Sequence, residues 1–342
     1  MVVNSQRSKT NRFIATMAAT ALTTLGVTSL TAIAQVPLIQ LDGSSTVYPI
    51  SEAMAEEFMS TYDANVVVGV SGTGGGFAKF CGGEIDISGA SRPIKPEEMA
   101  ACAAAGIEYV EIPVAYDALT VVVNPANTWV TEMTVEQLQQ IWEPAAEGVI
   151  TSWNQIDPSW PDQDLILFGP GADSGTFDYF TDEIVGEEGA SRGDYTASED
   201  DNILVVGVQQ NDGAIGYFGF AYYQENRSSL RSVAIDSGDG PVSPTPQSVN
   251  NGTYTPLSRP VFIYVRTDAL ERPEVEAFVN YYISSAPSVV PFVGYVPLSA
   301  EAYEMAQALV DDRVAGTVYQ QETSGQDIEI VMGLERTLTP VD

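Results

Sequence analysis

Four short stretches hold the residues best suited to gripping a small ligand. Leu41-Asp42-Gly43-Ser44-Ser45-Thr46 joins a predicted strand to a predicted helix. Small hydroxyl residues there leave backbone N–H groups pointing outward, backed by the positive end of the helix dipole. That suits an anion with many oxygens, and ordinary N-capping explains the same residues equally well. Val70-Ser71-Gly72-Thr73-Gly74-Gly75-Gly76-Phe77 again follows a strand and opens a helix. Its four glycines in five positions let the backbone approach a ligand closely. Lys79 stands between Ala78 and Phe80, so this is no Walker A loop. The dinucleotide fingerprint fits poorly too, and a cradle for a small anion fits better.

The third stretch is Gly169-Pro170-Gly171-Ala172-Asp173-Ser174-Gly175-Thr176-Phe177, once more between strand and helix. Ser174 lacks both the G-x-S-x-G surround and a base, so it is not a nucleophile. A capped helix after a tight turn is the alternative. The fourth is Ser88-Gly89-Ala90-Ser91-Arg92-Pro93, at the end of a strand. Arginine is scarce in this chain, and Arg92 there can fork onto a phosphate or carboxylate. A surface salt bridge is the competing reading. Taken together, three strand-to-helix turns and one arginine describe a converging site for a compact oxyanion.

Positioning such turns requires strands that alternate with helices, and the chain supplies them. Strands are predicted at Pro37–Leu41, Asn65–Val70 and Ile85–Gly89. Helices are predicted at Thr46–Tyr62, Gly76–Gly82 and Pro96–Ala105. The first has Ile50, Met54, Phe58 and Tyr62 on one face. This is an α/β pattern, with ligands expected beyond the carboxyl ends of the strands. Ile112–Asn124 and Val261–Arg266 read as long apolar strands that cross between two domains. We therefore expect a discontinuous lobe I, 35–120 plus 263–342, and an inserted lobe II, 121–262. A cleft between lobes is a usual ligand site. No internal repeat is found.

The 342 residues carry 46 acidic and 14 basic side chains and no histidine. The formal charge of −32 argues against nucleic acid or anionic lipid as partner. Without histidine there is no Ser-His-Asp triad, no His base and no His-ligated zinc. Residues 1–34 read as a signal peptide: Arg7, Lys9 and Arg12, an apolar stretch, then Ala32-Ile33-Ala34. Its removal leaves 11 basic against 46 acidic residues, or −35. No cysteine stands at the junction, so lipoprotein processing is not indicated, and a periplasmic or exterior location is expected. There Cys81 and Cys102 are expected to pair, stabilising the fold by roughly 3 kcal/mol.

DGSSTVYP, SGTGGGF, DISGASRPI and PGADSGTFDYFTDEI, in this order, resemble the periplasmic phosphate-binding proteins of bacterial high-affinity phosphate ABC transporters (the PstS type). GAIGYFGFAYY at 213–223 and SRPVFIYV at 258–265 resemble them as well. The resemblance spans nearly all of 38–335. It implies a type II Venus-flytrap fold in which two α/β lobes, joined by two hinge strands, close on dehydrated phosphate. It also implies delivery to an inner-membrane ABC permease, a monomeric receptor, and no cofactor, metal or catalytic residue. Carried over by motif, Ser45 and Thr46 would bind phosphate from the first turn and Thr73 from the glycine-rich turn. Ser174, Gly175 and Thr176 match the family's S-G-T triplet. Many members place an acid in the G-A-S-x turn and an arginine before S-G-T. Here Ser91-Arg92 occupies the former and Asp173 the latter, which we read as an exchange. A carboxylate at Asp173 favours phosphate, which keeps a proton to donate, over sulfate, which has none. A receptor for another tetrahedral oxyanion is the alternative, and a secreted phosphatase a remote one. A structural exoprotein would leave the glycine turns without a role.

Overall fold

The computed structural model describes residues 37–172, 174–198, 200–319 and 326–340. The expected leader and Asp173 lie outside them. Strand β1 (Leu38–Gly43) buries Ile39 and Leu41 in alternation and leads into helix α1 (Tyr48–Thr61). Pro49 sits in the first turn of α1, where no intrahelical donor is lost. Ile50, Met54 and Phe58 are buried as expected. Tyr62 is not: the chain turns extended there, and the ring lies exposed against Phe58, with centroids 4.2 Å apart.

Next come β2 (Asn65–Val68), α2 (Gly72–Cys81), β3 (Ile87–Ala90) and α3 (Pro96–Ala105). Helix α2 starts at Gly72 rather than at Gly76. Glycine is a poor helix former, so packing rather than propensity winds this turn. A Cβ on Gly76 would fall 2.6 Å from Gly43 Cα and 2.7 Å from Ser88 Oγ, so only glycine fits where three turns meet. Cys81 at the end of α2 is bonded to Cys102 in α3, the pairing expected from the sequence. The bridge fastens together two helices whose neighbouring turns face the cleft.

Strand β4 (Tyr109–Val123) is buried over its full length, as its apolar run requires. It is followed by β5 (Glu132–Thr134), α4 (Val135–Trp142), β6 (Ile166–Gly169) and α5 (Gly175–Phe180), which continues as a π-helical turn. Then come β7 (Thr196–Ala197), α6 (Asp201–Gln210), β8 (Ala214–Gly219), α7 (Phe220–Asn226) and β9 (Arg231–Ser232). The segment ends with β10 (Ala234–Asp236), β11 (Pro241–Val242), α8 (Pro246–Asn250) and β12 (Ser258–Arg266). The main sheet runs β2-β1-β3-β12-β4-β8-β6-β7, with β9 beside β4. Strands within each end of the sheet pair in parallel, while β12 and β4 run antiparallel at its centre.

Strand β4 changes partner along its length: Tyr109–Ala118 pairs with β12, and Leu119–Val123 with β8. Two α/β lobes are thereby joined through two neighbouring strands. Helices α9 (Pro273–Phe292), α10 (Ala300–Asp311) and α11 (Ile328–Met332) follow. A hydrogen bond of 3.0 Å between Ser51 Oγ and the Tyr282 hydroxyl ties α1 to α9. Among the described residues no helix is long and apolar enough to cross a membrane.

Candidate functional site

The turns of lobe I are knitted to one another before any ligand is considered. The Ser44 N–H donates to the Gly89 carbonyl at 2.9 Å, and the Ser71 N–H to the Gly43 carbonyl at 3.1 Å. Ser71 Oγ and Lys79 Nζ donate to the two Asp42 oxygens at 2.6 and 2.5 Å. Burial alone would raise the Asp42 carboxyl, but those two bonds, with the Gly43 backbone bond and the Lys79 charge, outweigh it and hold the group below its usual range. Lys79 thus belongs to the scaffold. Ser44 Oγ accepts the Thr46 N–H at 3.1 Å, which shapes the turn that presents Ser45 and Thr46. Thr73 Oγ1 and Ser91 Oγ lie 3.2 Å apart, bringing the glycine-rich turn against the arginine turn.

Arg92 is both a salt bridge and a wall of the cleft. Its Nη1 and Nη2 donate to the Glu98 carboxylate at 2.9 and 2.8 Å, and Nη1 also to the Pro93 carbonyl at 3.0 Å. The guanidinium lies 5.8 Å from the centroid of the Phe77 ring. A guanidinium has five N–H donors in a planar fork. Glu98 and Pro93 use three of them. The Nε–H and the second Nη2 hydrogen, a second forked edge, take no partner among the described residues.

Lobe II meets these turns through Gly175. A Cβ there would lie 3.1 Å from Thr46 Oγ1 and 3.8 Å from Ser45 Oγ, so the two lobes touch across the cleft at this point. Ser174 is the N-cap of α5, its Oγ accepting the Thr176 N–H at 3.2 Å. The Tyr295 hydroxyl donates to the Thr46 carbonyl at 2.7 Å and fixes the turn from behind. The cleft encloses about 1120 Å³, far more than one small anion fills.

The remaining wall is mostly acidic, with two further cations, Arg259 and the exposed Lys95. Asp178, Asp182, Glu183 and Glu188 line it, together with Arg259 on β12. Burial, reinforced by Glu188, pushes the Asp178 carboxyl up, while Arg259 pulls it down. Glu183 is likewise raised by burial against the pull of Arg259. Asp117, on β4, stands directly opposite Arg259 in the strand register and is raised by burial, again opposed by Arg259.

Of the residues expected from sequence, Ser45, Thr46, Thr73, Ser91, Arg92 and Gly175 line one cleft. Ser174 and Thr176 stand just behind Gly175, holding the start of α5. Asp173 lies outside the described residues. Arg259 was missed, although the scarcity of arginine that drew attention to Arg92 applies equally to Ser258-Arg259-Pro260.

Comparison with known proteins gives a consistent picture. A family model described as a PBP superfamily domain matches residues 11–286. The chain is 48% identical over 305 residues to Protein SphX of Synechocystis sp., covering 89% of this chain and 91% of that one. It is 37% identical over 276 residues to the phosphate-binding protein PstS of Staphylococcus saprophyticus, covering 79% and 83%. Among solved structures it is similar to a possible phosphate binding protein from Planctomyces limnophilus. That match has 46% identity and a TM-score of 0.77, over 82% of this chain and all of that one.

Proposed function

We infer, for a chain that belongs to the PBP superfamily and within it to the phosphate-binding proteins, that this cleft captures inorganic phosphate and hands it to an ABC transporter permease. The observation that carries the reading is the approach of Gly175 to Ser45 and Thr46 in a cleft that Arg92 also lines. An oxyanion between the lobes meets hydroxyls and backbone N–H groups from both, and a guanidinium fork from one. Glu98 and Phe77 hold that fork in place before the ligand arrives, which lowers the ordering cost of binding.

In this reading lobe I is 35–120 plus 263–342 and lobe II is 121–262. The switch of β4 from β12 to β8 after Ala118 supports that division. Closure dries the anion and strengthens each charge-assisted bond, and opening releases it unchanged. The protein is a receptor and not an enzyme: its arginines and hydroxyls bind, and no histidine is present to activate a nucleophile. Export through a cleaved leader to the periplasm puts it where the ligand and the permease are.

Calorimetric titration of phosphate into wild type, Arg92→Ala and Arg92→Lys tests the reading. Loss of one partner of a buried charge pair weakens binding by about 2–5 kcal/mol, so Arg92→Ala should lose that much. Arg92→Lys should recover only part, because the fork is gone. An unchanged dissociation constant in Arg92→Ala would reduce Arg92 to the counter-ion of Glu98. Steady hydrolysis of a phosphate ester by the purified protein would contradict the receptor assignment.

A further inference from the structure

We propose that Arg259 is a second anion-binding arginine, reaching the bound phosphate from the strand that joins the two lobes; this rests on the phosphate reading above. Arg259 lines the cleft from β12, opposite Asp117 on β4. Its guanidinium stacks 3.7 Å over the ring of Tyr179, in the helix that begins at Gly175. Tyr179 is itself pinned, its hydroxyl donating to the Pro256 carbonyl at 2.7 Å. Asp117 therefore holds one corner of the fork and an aromatic face holds its plane. Arg92 is held the same way, by Glu98 and Phe77.

What sets Arg259 apart is how little of it the protein satisfies. Among the described residues its one hydrogen bond runs from Nη2 to Asp117 Oδ2, at 3.3 Å, and its Nε is buried without a partner. Arg231 and Arg336 also leave one buried nitrogen unpartnered, but neither lines the cleft. A fork with most of its donors unspent, on a cleft wall, is costly unless something fills it. A doubly charged oxyanion would do so.

Charge balance points the same way. Glu98 offsets much of Arg92, and Asp178, Asp182, Glu183 and Glu188 line the same cleft. A dianion entering there needs a second cation near it. Lys95 also lines the cleft but is exposed, with Glu97 close by, whereas Arg259 is half-buried. Because Arg259 stands on a joining strand and touches α5, its grip on the anion also favours the closed arrangement of the lobes.

The competing role is a counter-ion for Asp117 with no contact to the ligand. Inorganic phosphate is titrated calorimetrically into wild type, Arg259→Gln and Arg259→Lys, with thermal melts to show that each is folded. Arg259→Gln is expected to weaken phosphate at least about 30-fold, and Arg259→Lys to recover only part of that. In wild type, the side-chain Nε–H resonance of Arg259 in proton–nitrogen spectra is expected to shift as phosphate saturates the protein. Should Arg259→Gln not fold, Arg259→Lys and the wild-type spectrum decide. Binding within about twofold of wild type in the folded variants, or an unmoved Arg259 resonance, would overturn the proposal. Wild type that takes up no phosphate at all would instead sink the reading on which it rests.

Discussion

Glu111 and Asp117 lie six positions apart on β4, both buried and both paired with an arginine, yet their surroundings differ sharply. Glu111 accepts from the Tyr264 hydroxyl at 2.7 Å, the Val318 N–H at 3.0 Å and Arg336 at 3.4 Å, and also from Thr317. Those bonds fasten Thr317, Val318 and Arg336 onto β4. Among the described residues Asp117 has only the 3.3 Å contact with Arg259, at the edge of the cleft. A saturated buried carboxylate holds architecture together, whereas an unsaturated one marks a place where bonds are still to be made.

The largest effect should come from breaking the saturated member. Glu111→Ala leaves Arg336 buried and uncompensated, which costs about 3–5 kcal/mol. Urea unfolding should show that loss, while protein that remains folded should bind phosphate as wild type does. A loss below about 1 kcal/mol would mean that Glu111 is not the anchor described.

Asp117→Asn should be far milder. It keeps the size and removes a buried charge that has one weak contact, so stability should move by no more than about 1 kcal/mol. A loss as large as that of Glu111→Ala would erase the distinction between the two carboxylates.

The smallest and sharpest test is the pH dependence. Burial is the main cause that raises both carboxyls in the folded protein, so each holds its proton more tightly folded than unfolded. The stability each contributes is complete below the unfolded value, near pH 4. It is lost as pH climbs through the raised folded value. Asp117→Asn cannot ionise and should flatten that decline above about pH 4 without lowering overall stability much. Urea midpoints across this range, in wild type and variant, measure it. An equal decline in both proteins would show that Asp117 does not carry a raised value.

The same contrast explains what was legible in the sequence. Turns are local, so Gly, Ser and Thr clusters between strand and helix announced Ser45, Thr73 and Gly175 directly. Arg92 was visible because arginine is rare, and its partner Glu98 lies only six residues on. Pro96 and Gly106 bracket α3, and its bounds match the expectation. The start of α2 was misplaced because close packing at Gly76, and not residue preference, decides it. Arg259 escaped because its meaning depends on Asp117, 142 residues away, and on Tyr179 in the other lobe. Strand register creates that neighbourhood, and no local pattern records it.

The central claim is that the end of the cleft bounded by Ser45, Thr46, Arg92 and Gly175 selects phosphate. Its most direct test is calorimetric titration of phosphate and of sulfate, separately, into the wild-type protein at one salt concentration near neutral pH. Phosphate still carries a proton that a cleft carboxylate can accept, and sulfate offers none and meets the acidic wall unrelieved. The account predicts one phosphate per chain and sulfate weaker by at least about 10³-fold, the scale on which a site rejects a ligand lacking a required hydrogen bond. Equal affinities for the two anions, or phosphate heat that does not saturate at one per chain, would contradict it.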